Sequence, residues 1–400
     1  MNGGCLMNVV MPFFKPRFVL VMLLMVAISS ACSSNDKKPV ESSSSTTTKN
    51  TSKNEPTAPE LSTDVVLENL NHPWDLGFLP DKTLIFTERN GELSALKNGE
   101  VTLLAKMKDV EVEGEGGLLG LAVDSNFEKN RYIYTCFNHN DGKRDVRVVR
   151  YEIDEKITAA SNPAPIVTGI PAKDSGRHSG CRIRSASDGT LFIGTGDAAN
   201  ENNPQNPKKL GGKILHVDRN GKGVKGNLSD PFDNRILNYG HRNVQGIVLF
   251  DKEQNGVFGF SIEHGSDKDD EVNLIKNGNF GWDPGKDYEE NVPMTDTKKF
   301  PDAIKATWTS GYPTIAPSGA TFLKGTKWGA YENALAIAVL KGEKVKILKF
   351  DDNYKIVLDT DVLTEFGRIR SAVQGPDGNL YIATDSDDGK IIKVTPKIKN

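Results

Sequence analysis

The chain of 400 residues is poor in cysteine, in basic surplus, in long apolar runs and in helical periodicity, and each shortage narrows its nature. Of four cysteines, Cys5 and Cys32 lie near the N-terminus, so only Cys136 and Cys181 serve the remaining sequence. They either pair or stay separate buried thiols, because sequence does not give the distance between their Cα atoms. The formal net charge is −3. Without the first 31 residues, which hold Lys15 and Arg17 and no acids, it falls to −5. A nucleic-acid binder would instead show a basic surplus or stripe. The longest apolar run, Phe18 to Ile28, is too short for a bilayer span of about 20 residues. No long stretch keeps a 3.6-residue apolar period, which argues against a helical fold.

Other shortages concern chemistry. The glycine-rich "EGEGGLLG" (Glu113 to Gly120) lacks the Gly-Lys-Ser/Thr ending of a phosphate loop and precedes no helical pattern. "DRNGKGVKG", from Asp218, puts Lys222 where an EF-hand needs an oxygen donor.

Three zones are present. Lys15 and Arg17 before the run Phe18 to Ile28 read as an export signal over residues 1–31. "SSACSS" around Cys32 resembles a lipoprotein signal with Ser29 where a large aliphatic residue is usual, so Cys32 is the expected lipid anchor. Residues 32–62 are rich in Ser, Thr, Lys and Pro, cannot bury enough surface to offset chain entropy, and read as a low-complexity tether. Localisation is therefore expected outside the cytoplasm, on a membrane facing the periplasm or cell exterior.

Residues 63–400 alternate short β-rich runs with Gly, Asn, Asp and Pro turns, the texture of an all-β domain. A turn-then-strand unit recurs at Pro80-Asp81, at Asp188-Gly189 and at Pro376-Asp377-Gly378. At ~40–50 residues per blade this length predicts six to eight blades of a β-propeller, and long loops favour six. A pair of sandwiches is the structural alternative.

Several stretches carry candidate chemistry. "RHSGCRIRSASDGTLFIGTGD" places His178 among glycine turns and ends a strand on Asp197. "YGHRNVQG" sets His241, Arg242 and Asn243 side by side, which a regular strand would split between two faces, so a loop projecting Arg242 and Asn243 is expected. "EHGSDKDDEVNLI" crowds Glu263, Asp267, Asp269, Asp270 and Glu271 around Gly265, an oxygen-rich cluster suited to Ca²⁺ or to solvent. Arg368 and Arg370, two apart, share one face of a strand as a doubled clamp for carboxylates, and Lys341 ends another apolar run.

Taken with "HPWDLGFLPD", "EGGLLGLAVDSNF", "NFGW" and "IAPSG", these stretches resemble, in one order from His72 to the C-terminus, the soluble pyrroloquinoline-quinone (PQQ)-dependent aldose sugar dehydrogenases, the glucose/sorbosone dehydrogenase family. The resemblance implies a six-bladed β-propeller and oxidation of an aldose to its lactone, with hydride passing to PQQ and electrons to an external acceptor. It implies His178 as general base, Asp197 as its supporting acid, and Arg242 as stabiliser of charge on the quinone, with Asn243 beside it. Lys341, Arg368 and Arg370 match the cations that bind the PQQ carboxylates. Gly265 and Ser266, with Asp270 nearby, match the Ca²⁺ site. Glu115 stands where Gln is usual against the cofactor, and Cys181 where Gly or Ser is usual. Two other readings compete: a non-catalytic tethered propeller that binds carbohydrate or protein, and a Ca²⁺-dependent lactone hydrolase, which would leave Arg368 and Arg370 without a purpose.

Overall fold

A computed structural model describes residues 56–252 and 256–397. The export signal and the Cys32 anchor lie outside the described residues. The regular structure of the described residues is almost entirely β-strand, arranged as six largely antiparallel sheets of mainly four strands. Blade 1 runs through Pro73–Phe78, Leu84–Glu88, Glu92–Lys97 and Glu100–Lys106. Blade 2 spans Leu118–Val123 to Ala160–Ile170, and blade 3 spans Arg182–Ser185 to Ile236–Tyr239. Gly278–Asn279 adds a short parallel strand to blade 3. Blade 4 begins at Val244–Lys252, blade 5 at Pro317–Phe322 and blade 6 at Ile369–Gln374. Each blade's first strand packs against the first strand of the next, and that of blade 6 returns to blade 1, so the ring is closed. This is the six-bladed propeller.

Closure is made by backbone pairing. Glu60–Leu70, the first strand in the chain, pairs antiparallel with Gly389–Lys397, the last, and completes blade 6. The tether boundary at residue 62 therefore shifts. Residues 60–62 pair with Thr395 to Lys397, and Leu61 packs against the core between blades 5 and 6. The recurrent turn-then-strand unit is the hairpin between the first and second strands of blades 1, 3 and 6. In blade 3 the Gly189 amide donates to the Ala186 carbonyl with Gly189 at φ +86°, a conformation that favours glycine.

Alternation along each strand places the core. In Tyr132–Asn140, Tyr134 and Cys136 face blade 3, whereas Ile133 and Phe137 face blade 1. In Leu335–Val339, Leu335 and Ile337 face blade 4 while Ala336 and Ala338 face blade 6. A period of two thus buries both faces of a sheet, which explains why these runs read as continuously apolar. Small residues let the blades meet at the axis: a Cβ on Gly120 would stand 2.4 Å from the Cys181 carbonyl. Cys136 and Cys181 do pair, with Cα atoms 6.1 Å apart, and join blade 2 to the entry of blade 3. Closing a loop of this length stabilises the fold by about 4 kcal/mol in the chain-entropy account.

The axis is filled by Trp74, Asp75 and Arg182, all almost fully buried. The Arg182 guanidinium lies 4.0 Å from the Trp74 ring centroid, pairs with Asp75 at 2.5 Å and donates to the Gln245 carbonyl at 2.9 Å. Burial alone would raise the Asp75 pKa, but Arg182 and Arg184 outweigh it and hold that carboxyl below its ordinary value.

Candidate active site

The positions of the site residues follow one rule. A first strand and its antiparallel second strand bring the start of one and the end of the other to the same end of the ring. Glu115, His178, Arg242 and Arg368 precede the first strands of blades 2, 3, 4 and 6. Asp197, Gly265 and Lys341 follow the second strands of blades 3, 4 and 5. Residues scattered over 250 positions therefore share one mouth of the propeller.

At its centre, His178 is 2 % exposed and Asp197 is fully enclosed. The His178 Nδ1 lies 2.8 Å from Asp197 Oδ1. Asp197 is itself held by the Trp282 indole N–H at 2.8 Å, the Tyr288 hydroxyl at 2.7 Å and the Ala199 amide at 2.8 Å. His178, Ala198 and Ala199 all have φ between 45° and 55°, left-handed values costly for non-glycine residues and typical of functional sites. The close approach of the two loops requires Gly196, whose Cβ would fall 1.8 Å from the His178 carbonyl oxygen.

Arg242 is nearly buried. Its Nε and Nη2 donate to Glu290 Oε1 at 2.9 and 2.7 Å, and its Nη1 donates to the His264 carbonyl at 3.2 Å. Glu290 also pairs with Arg177. His241 turns away from the mouth to Glu263 at 2.7 Å, and Glu263 in turn accepts the Arg242 amide at 2.8 Å. The loop expected from "YGHRNVQG" thus splits its side chains as the spacing requires. Asn243 accepts the Gly180 amide at 3.1 Å and donates to Glu115 at 2.8 Å.

Glu115 connects the two sides of the mouth. Its Oε2 accepts from the Gln245 amide nitrogen at 3.0 Å as well as from Asn243. Gln245 Oε1 then accepts from Arg370 Nη1 at 2.6 Å. Burial opposes ionisation of Glu115, but its electrostatic interaction with the neighbouring His178 and His264 and the Asn243 hydrogen bond outweigh it and hold its pKa below the ordinary carboxylate value. Arg370, 5 % exposed, also donates to Asp385 at 2.8 Å; Arg368, whose side chain is 47 % exposed, reaches the same oxygen at 3.2 Å. The two arginines do act on one face, and the carboxylate they grip is the chain's own. Lys341 is exposed and touches Thr314 at 3.2 Å without joining this network.

The acidic loop differs from its expected use. Asp270 accepts the Gly265 amide at 2.9 Å with one oxygen and the Ile315 and Ala316 amides at 2.5 and 3.1 Å with the other. Its carboxylate fastens two loops and is not free to face an ion. Among the described residues, no hydrogen bond reaches the carbonyls of Gly265 or Ser266, and no group of three or more His, Cys, Asp or Glu side chains is arranged to hold a metal.

Three buried atoms at the mouth have no partner in the protein: Arg370 Nε, Asp385 Oδ1 and His264 Nε2. Burial, which Asp270 and Glu115 oppose and Arg242 aggravates, lowers the His264 pKa to about 4, so its ring is neutral near pH 7. Sequence reasoning missed Gln245, Trp282, Tyr288, Glu290 and Asp385. Gln245 and Trp282 lay inside quoted motifs, whereas Tyr288 and Glu290 sit in a loop with no periodic signal.

One mouth of the six-bladed ring thus gathers a buried His–Asp pair and two buried arginines. The glucose/sorbosone dehydrogenase family model matches residues 70–393, and the chain belongs to that family. It is 30 % identical to the aldose sugar dehydrogenase YliI of Escherichia coli over 84 % of this chain and 93 % of that protein. It is 28 % identical to quinoprotein glucose dehydrogenase B of Acinetobacter calcoaceticus, over 82 % and 87 %. The PQQ-bound aldose sugar dehydrogenase of Streptomyces coelicolor superposes with a TM-score of 0.68 at 29 % identity, covering 86 % of this chain and all of that one.

Proposed function

We propose that this protein is a PQQ- and Ca²⁺-dependent aldose dehydrogenase that oxidises a sugar to its lactone outside the cytoplasm. The observation that carries the reading is the continuous hydrogen-bonded link from Gly180, in the His178 loop, through Asn243, Glu115 and Gln245 to Arg370 at one mouth of the ring. A polyanionic quinone suits the donors present: Arg370, with its unpartnered Nε, and Arg368, Lys341 and Arg242 around it. Asn243 and Glu115 would line the cofactor. The carbonyls of Gly265 and Ser266 are the ligands this chain offers to Ca²⁺, with Asp270 shaping their loop.

PQQ, when bound, supplies the two-electron acceptor for the hydrogen at the sugar's C1. The protein supplies the rest. Asp197 holds Nδ1 of His178, which leaves Nε2 to take the hydroxyl proton of the sugar. Arg242 offers positive charge where negative charge develops, and Trp282 anchors Asp197 from behind. The disulfide agrees with export into an oxidising compartment, and the signal and Cys32 agree with a lipid anchor.

A second reading, a tethered propeller that binds without catalysis, is favoured by one observation: Glu290 and Asp385 already neutralise Arg242 and Arg370. Reconstitution of the purified full chain with PQQ and Ca²⁺, followed by dye reduction over a panel of aldoses, separates the two. Dehydrogenation predicts micromolar uptake of PQQ and sugar-dependent reduction. No uptake at that concentration leaves the binding reading.

A further inference from the structure

We propose that Tyr288 is a positioning residue that fixes the tautomer of His178. The inference rests on the reading of His178 as the base. The Tyr288 hydroxyl oxygen lies 2.7 Å from Asp197 Oδ2 and 2.9 Å from His178 Nδ1. An ionised carboxylate has no proton to give, so the phenol donates to Asp197 and turns a lone pair to the imidazole. Nδ1 therefore faces two acceptors, Asp197 Oδ1 at 2.8 Å and the phenol oxygen. Only a protonated Nδ1 satisfies both. The single proton of the neutral ring is held there, and Nε2 is left bare to accept. Asp197 alone would favour this state; the second acceptor deepens the preference, and the phenol's donation keeps Asp197 turned toward the ring.

The loop is built to hold the hydroxyl in place. Asp287 and Tyr288 both adopt left-handed backbone conformations, at φ 60° and 62°, unusual for non-glycine residues and most unusual for a bulky one. Such a conformation persists only where its surroundings enforce it. Here the Arg177 guanidinium lies 5.4 Å from the Tyr288 ring centroid, and Glu290, two residues on, is gripped by Arg177 and Arg242. Burial, followed by the charge of Asp197, pushes the Tyr288 hydroxyl well above its ordinary pKa, so it remains a donor throughout the working range.

The test is Tyr288→Phe in the full chain, which keeps the ring and removes one oxygen. Nitrogen–proton correlation NMR of ¹⁵N-histidine-labelled protein without cofactor reads the tautomer directly. Wild type is expected to carry the His178 proton on Nδ1, and the variant to keep that tautomer as the major form with a measurable Nε2-protonated fraction beside it. With PQQ and Ca²⁺, the variant is expected to lose roughly tenfold in kcat, with KM and PQQ affinity within about twofold. A wild-type proton on Nε2 overturns the proposal. So does a variant whose ring spectrum is unchanged, whatever its turnover, since a purely structural loss would leave the tautomer alone. If the tautomer shifts as stated but wild type oxidises no aldose, the positioning role stands and the dehydrogenase reading fails.

Discussion

The two sides of the propeller mouth are finished to different degrees. On the side of blades 3 and 4, His178, Asp197, Trp282 and Tyr288 are closed into short hydrogen bonds, and Asp197 has donors on both oxygens. On the side of blades 5 and 6, Lys341 and Arg368 are exposed, and Arg370 Nε and Asp385 Oδ1 are buried without partners. A group that must move a proton needs its geometry set beforehand, because reorganisation during reaction raises the barrier. A clamp for an anionic ligand gains by keeping donors in reserve, since a buried unpaired donor gains most when a partner arrives. On the proposed reading, the contrast divides labour: one side serves chemistry, the other holding.

Substitutions should separate the two sides. The largest effect is expected from His178→Ala, which should cut kcat by about 10³-fold or more while leaving PQQ affinity within a few-fold, as read by dye reduction and by cofactor titration. A matching loss of affinity would break the division. Next comes the axis beneath both sides. Asp75→Asn leaves Arg182 buried beside a neutral group and should cost about 3–5 kcal/mol in denaturant unfolding at pH 7. Because the folded Asp75 pKa is depressed, this contribution is present above the ordinary carboxylate value and is lost as pH falls through the folded one. The gap between variant and wild type should therefore close in acid; a gap that widened in acid would contradict the assignment.

Arg370→Ala should weaken PQQ binding by about 100-fold with kcat at saturating cofactor largely kept, and Arg368→Ala by about tenfold or less, because an exposed guanidinium is screened by solvent. Equal losses at the two positions would show that burial does not set their strength. The smallest effect is expected from Glu290→Gln. Freeing Arg242 from its carboxylate partner should tighten PQQ binding by about threefold and steepen its salt dependence, measured by titration at two ionic strengths. Weaker binding would mean that Glu290 supports the cofactor instead of competing with it.

Much of this arrangement was legible in the residues. Strands with apolar content on both faces, and turns such as Asp188-Gly189, carry the propeller in local pattern. His178 and Asp197 flank one hairpin, so their meeting follows from the antiparallel turn between them. What was not legible depends on distant backbone. Asp270 reads as one of five crowded acids, yet one of its oxygens is claimed by amides 45 and 46 residues away. Asp385 ends a strand like several other acids, and only the fold sets it between Arg368 and Arg370. Tyr288 and Glu290 lie in a loop whose left-handed positions at Asp287 and Tyr288 are not occupied by glycine. The pairing of Cys136 with Cys181 required the Cα separation that blade packing alone provides.

The most direct measurement is a single turnover of the reconstituted protein. Wild type and His178→Ala, each loaded with PQQ and Ca²⁺, are mixed with excess aldose, and the cofactor's absorbance is followed. Rapid reduction in wild type, with equal loading but no reduction on the same timescale in the variant, is the predicted result. Equal reduction rates in the two proteins, or failure of wild type to retain PQQ, would contradict a site in which blades 5 and 6 hold the quinone while His178 takes the proton.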